Sequence, residues 1–241
     1  MACHRVESWP MLSTRKTLIW LAIACMLLAG SFAADVPVGE WLFAHRWHDA
    51  SSHIAKGTLW ASSLKWMGDI RPIIVLAAVL VLVARLSWRR GVVLLVCSAG
   101  TILNDPMKWV FGRPRPVDSK LDQLSAVFQF DFFRDGPLGW LHTGGLAFPS
   151  GHTMLVFATA GCLARYYPKW AGLCFTVACA VGVERVLEMA HHPSDVVAAA
   201  ILGILLSLLC MRLLGKWSEP ASSPCGFEVM PLSRDEGIRS A

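Results

Sequence analysis

The chain has 241 residues, of which 55% are hydrophobic and only 16% charged, with a net charge of +5. A soluble domain carries about a quarter charged residues, so this composition, with a mean hydropathy of +0.50, excludes an ordinary water-soluble globule. The small positive excess is divided between topology signals and candidate anion ligands, which argues against a nucleic-acid partner.

The apolar residues come in blocks rather than in amphipathic stripes. A helix crosses the hydrocarbon core in roughly 20 residues, and shorter blocks extend through flanking aromatics or snorkelling arginines. This reading predicts an all-α, polytopic membrane protein with about six transmembrane helices and short interfacial helices. The spans fall near 17–34, 72–86, 91–111, 152–167, 170–188 and 194–214, within a single membrane-embedded domain over 1–241. The first span has a basic start and Ser31-Phe32-Ala33, which also read as a cleaved secretory signal. Its length and the five later spans favour a retained helix.

Residues 35–69 form an outer connection rich in tryptophan (Trp41, Trp47, Trp60 and Trp66), as expected of one or two interfacial helices. His45, His48 and His53 read as interfacial histidines rather than metal ligands. Arg85, Arg89 and Arg90 follow the second span. The third span, with Pro106 inside it, ends at Pro114 and Pro116. Residues 117–148 return outside with Phe128, Phe130, Phe132 and Phe133, either a lipid entrance or belt residues. Arg165 and Lys169 lie inside, and 217–241 is expected to be a disordered inner tail. With Arg5, Arg15, Lys16, Arg212 and Lys216 also inside, the positive-inside rule puts both termini in the cytoplasm. Of eight cysteines none lies in a predicted outer loop, so structural disulfides are not expected, and no metal-ligand spacing appears.

Three motifs sit at the outer ends of predicted spans. The first runs from Lys108 to Pro116 and includes Arg113 and Arg115. The second, Pro149-Ser150-Gly151-His152, opens the fourth span, with Ser150 as N-cap and backbone N–H groups facing outward to attract an anion. The third runs from Arg185 past Glu188 to His191, His192 and Asp195. A carboxylate at 195 can accept from a ring nitrogen of His191 and make the other nitrogen a better nucleophile. Singly, each motif reads as boundary or turn chemistry; together they supply cations, two histidines and a carboxylate.

Lys-(six residues)-Arg-Pro, then Pro-Ser-Gly-His, then Arg-(five residues)-His-(three residues)-Asp resembles the type 2 phosphatidic acid phosphatase superfamily. The motifs cover 108–195, and the helix layout extends the likeness to about residue 214. The resemblance implies that His191 attacks phosphorus, Asp195 orients it, and His152 protonates the leaving oxygen and later activates water. Lys108, Arg115, Arg185, Ser150 and the Gly151 amide would hold the phosphoryl oxygens, with no metal and no cofactor. Glu184 replaces the serine usual before the third-motif arginine; with Glu188 it is placed to pair with Arg185.

The resulting expectation is a lipid phosphate phosphatase in the bacterial inner membrane, its active site facing the periplasm, its partners a phosphorylated lipid and the bilayer. Undecaprenyl pyrophosphate, phosphatidic acid, phosphatidylglycerol phosphate and lipid A are the candidate substrates. A lipid-to-lipid phosphotransferase would use the same site. A vanadate-dependent haloperoxidase shares the motifs but is typically soluble, and a lipid-binding or flipping protein would not need the full set of side chains.

Overall fold

The computed structural model describes residues 14–46, 59–82, 87–117, 129–133, 136–141 and 143–218. The fold is all-α. Its helices are α1 (Thr14–Arg46), α2 (Leu59–Met67), α3 (Ile70–Leu82), α4 (Trp88–Ala99), α5 (Asn104–Phe111), α6 (Gly151–Tyr166), α7 (Ala171–Leu187) and α8 (Pro193–Ser218). Among the described residues three helical segments are long and apolar enough to cross a membrane: Thr14–Ala44, Pro168–Leu187 and Pro193–Leu214. The protein is an integral membrane protein. The other three expected spans correspond to shorter pieces: α3, the α4–α5 rod and α6. His48, His53, Phe128 and the tail beyond Ser218 lie outside the described residues.

α6 is the central helix, packed against α8, α7 and α4, while α1 lies along α8. Small residues allow the close approach: Gly161 faces Ser207, and Gly203 lies against the Met154 carbonyl and Phe157. Nine residues of α6 are buried, whereas Leu205, Leu209 and Leu213 form an exposed apolar row on α8, suited to lipid.

Two boundaries differ from expectation. α1 does not stop before Asp35 but continues through Pro37 to Arg46, absorbing the first part of the anticipated outer connection. Asp35 is no barrier to the helix because its carboxylate is fully buried and paired across the bundle (below). The third expected span is a jointed rod. Its ladder tightens to a 3-10 turn at Gly100–Leu103 just before Pro106, which has no N–H to continue the α pattern. α5 then ends at Gly112, before the prolines. Gly112 has φ +58 and donates its N–H to the Lys108 carbonyl, and a Cβ there would strike the Asp131 carbonyl. Only glycine fits that left-handed cap.

Candidate active site

One backbone residue ties the three motifs together. The fully buried Ala147 donates its N–H to the Arg113 carbonyl (2.7 Å), and its carbonyl lies 2.7 Å from His191 Nδ1. Neighbouring bonds close the same junction: Arg115 N–H to the Gly145 carbonyl (3.2 Å), Val117 N–H to Met189 (3.2 Å) and Ser150 N–H to Asp195 (3.3 Å). Residues about 80 positions apart in the chain thus form one cluster at the shared ends of α5, α6, α7 and α8.

His191 is 4% exposed. A carbonyl can only accept, so Nδ1 carries the proton and Nε2 keeps its lone pair. The hydrogen bond anticipated from His191 to Asp195 is not made, since Nδ1 is 3.9 Å from Asp195 Oδ2. The carbonyl of Ala147, two residues before Pro149, takes that place. Burial, then the Lys108 cation, with Arg115 and Arg185 adding to it, holds the His191 pKa well below its ordinary 6.5. The ring is therefore neutral, as a nucleophile must be.

Asp195 instead belongs to a buried network that the motif spacing did not reveal. Arg113, with no exposure, donates to Asp195 Oδ1 (2.5 Å), Ser194 Oγ (2.7 Å) and Asp35 Oδ2 of α1 (2.7 Å). Asp35 also accepts from the Ser194 N–H (2.8 Å) and hydroxyl (2.5 Å). Asp195 Oδ2 accepts from the His192 N–H at 2.7 Å, fixing the bend that carries His191. The Arg113 guanidinium lies 5.5 Å from the Phe32 ring and 5.3 Å from Phe130, so aromatic faces complete its surroundings. Asp35 and Ser194 were missed because an acid at the end of an apolar block reads as a span boundary. Arg113 was seen, but without a role.

The cations divide into two kinds. Arg113 is neutralised by two carboxylates, and Arg185 is held by Glu184 (Nε–H to Oε2, 2.6 Å) and Glu188 (2.8 Å). Lys65 of α2 stands 3.9 Å from Glu188. Neither Lys108 nor Arg115 makes an ion pair within 4 Å among the described residues, and Arg115 Nε is buried without a hydrogen-bond acceptor. Both act on His191, which is thus set in a positive field suited to an anion, partly offset by the Asp105 and Asp195 carboxylates that act on Lys108.

Ser150 stands at the N-cap position of α6, but its hydroxyl does not cap. It pairs with the Thr153 hydroxyl at 3.0 Å, leaving the first-turn N–H groups uncapped by that side chain. His152 lies in that turn, its ring packed against Gly68, where a Cβ would come within 2.6 Å. Phe111, Phe130 and Phe148 form an aromatic wall beside the junction, with centroids 4.7–6.2 Å apart.

His192, the adjacent histidine, is equally buried but differently placed. Burial and then Arg113 push its pKa down to about 3, while the Pro114 carbonyl opposes them, and the cations around His191 do not act on it. Its folded pKa is below the unfolded value of about 6.5, so its contribution to stability is complete above pH 6.5. That contribution is lost as pH falls towards 3. His192→Gln should flatten the decline in thermal stability between pH 7 and 4; an unchanged slope would assign acid sensitivity elsewhere.

Comparison with known proteins identifies the family. The family model described as the PAP2 superfamily matches residues 88–219, more than half of the chain. The chain is 35% identical over 77 residues to the bacitracin transport permease protein BcrC of Bacillus licheniformis, covering 32% of this chain and 36% of that protein. It is 32% identical over 135 residues to lipid phosphate phosphatase 1 of Arabidopsis thaliana, covering 46% and 40%. It is also 30% identical over 123 residues to lipid A 1-phosphatase of Rhizobium johnstonii, covering 51% and 47%. The chain spans less than half the length of each of these relatives. With all three motifs inside the match, which runs from α4 to the end of α8, this chain belongs to the PAP2 superfamily.

Proposed function

We propose that the protein is a lipid phosphate phosphatase working through a phosphohistidine. The observation that carries this reading is a buried, neutral His191 whose Nδ1 is fixed by the Ala147 carbonyl, beside Lys108 and Arg115. His191 Nε2 attacks phosphorus as the ester or anhydride P–O bond breaks, and His152 gives its proton to the leaving oxygen. A water molecule then attacks the phosphohistidine, His152 takes its proton, and the P–N bond breaks to release phosphate. Lys108, Arg115, Arg185, Ser150 and the Gly151 amide hold the phosphoryl oxygens. Such preorganised donors contribute roughly 2.7–4 kcal/mol each to the transition state. Asp195 acts through the bend: it holds the His192 N–H and the Arg113 guanidinium, which keeps His191 in place.

A lipid substrate is supported by the exposed apolar faces of α1 and α8, and by relatives named lipid phosphate phosphatase and lipid A 1-phosphatase. The headgroup enters at the motif end of the bundle while the tail stays in the bilayer. The arginine distribution supports a six-span arrangement with both termini inside and this end on the periplasmic side of a bacterial inner membrane. The chemistry needs no metal.

The test is phosphate release by detergent-purified protein from lipid mono- and diphosphates, with EDTA present. Release from at least one lipid is expected. Transfer to an added acceptor lipid without free phosphate would convert the reading to a phosphotransferase, and dependence on a metal would overturn the mechanism.

A further inference from the structure

Asn104 opens α5, one helical turn ahead of Lys108, so the two side chains share a face. It is 4% exposed, and its Oδ1 is buried with no hydrogen-bond partner among the described residues. Its Nδ2 lies 2.9 Å, and its Cγ 3.5 Å, from the point a Cβ on Gly151 would occupy. The carboxamide therefore rests on the first residue of α6, beside the proposed phosphate-binding amide, and only a glycine at 151 leaves room for it.

A buried carboxamide oxygen without a partner is unfavourable and calls for a functional account. Fastening helices is not that account. α4 is already joined to α6 by the Ser98 and Thr159 hydroxyls (3.1 Å) and by Cys97 Sγ to the Ala158 carbonyl (3.4 Å). The Nδ2 amino group already faces the Gly151 side, and because the two ends of a carboxamide have the same shape, exchanging them puts a donor in place of the unpartnered Oδ1 without repacking.

We propose that Asn104 is a further substrate-binding residue, its carboxamide donating a hydrogen bond to the phosphoryl group held between Gly151 and Lys108. The inference rests on the phosphatase reading above. A neutral donor at this position adds directionality where Lys108 and Arg115 already supply charge. It also reads the phosphoryl group itself, so its effect is common to every lipid that carries one.

The experiment compares wild type with Asn104→Ala, Asn104→Ser and Asn104→Asp for kcat/KM, inhibition by inorganic phosphate, and phosphate-induced rise in melting temperature. Loss of the donor is expected to lower kcat/KM and weaken phosphate inhibition by roughly tenfold or more, as for a hydrogen bond to a charged group. Asn104→Asp should be worse than Asn104→Ala, because the same shape then presents a carboxylate to the phosphate. A packing role predicts the reverse order. Wild-type kcat/KM and phosphate inhibition in all three variants, or Asp outperforming Ala, would overturn the inference. The melting shift with phosphate is also read in a His191→Ala background, where no turnover occurs. Absence of phosphate release by the wild type would overturn the phosphatase reading alone; failure of Asn104→Ala to weaken the phosphate shift would overturn this one alone. Should Asn104→Ala not fold, the serine and aspartate variants decide between the two orders.

Discussion

His191→Ala should lose phosphatase turnover by roughly 10⁴-fold or more, the scale seen when a nucleophile is removed from a site that otherwise still binds. The fold should survive. What the substitution leaves behind is the Ala147 carbonyl without its ring donor, a loss of about 1–3 kcal/mol for a buried group. The neighbouring His192 cannot take over. Its backbone N–H is bound to Asp195, and its ring sits beside Pro114 and Arg113 rather than among Lys108, Arg115 and Arg185. His192→Gln is therefore expected to keep most of the activity. Phosphate release measured on both variants separates the two histidines: equal loss in both would assign the bend as a unit, and full activity in His191→Ala would end the phosphohistidine mechanism.

Arg113→Met should be the most destabilising single change in the site. It removes the guanidinium that pairs with two fully buried carboxylates, Asp35 and Asp195, and breaking a buried pair in this way costs about 3–5 kcal/mol. Asp35→Leu should be milder, because Arg113 keeps Asp195. The double variant should be more stable than the sum of the two single losses, since one of the two stranded charges is gone. Thermal unfolding in detergent reads this directly. Strict additivity, or a shift in Arg113→Met no larger than for a surface arginine, would show that the network does not hold α1 to the bend. Activity should fall with Arg113→Met as well, because Asp195 and the His192 N–H fix the loop that presents His191.

Much of the architecture is legible in the sequence. The charge-free blocks marked α1, α7 and α8 because lipid-exposed helices must be apolar over their whole length. The candidate histidines and cations stood out because the proposed phosphoryl chemistry restricts both residue type and spacing. Partnerships were not. Asp35 and Arg113 lie 78 positions apart, and no local pattern distinguishes an acid that ends a span from one buried within a helix. Arg113 and Arg115 stand in matching Pro-flanked settings, yet one is locked between carboxylates and the other has none among the described residues.

By itself, the sequence determined the all-α membrane class and the family, since these follow from composition and from ordered motifs within single segments, and it marked the candidate site residues. Only the tertiary structure decided which groups touch. It gave His191 the Ala147 carbonyl in place of Asp195, gave Asp195 to Arg113, and set Asn104 against Gly151. The physical reason is that hydrogen bonds act over about 3 Å, so partner choice depends on how helices and loops far apart in the chain pack together.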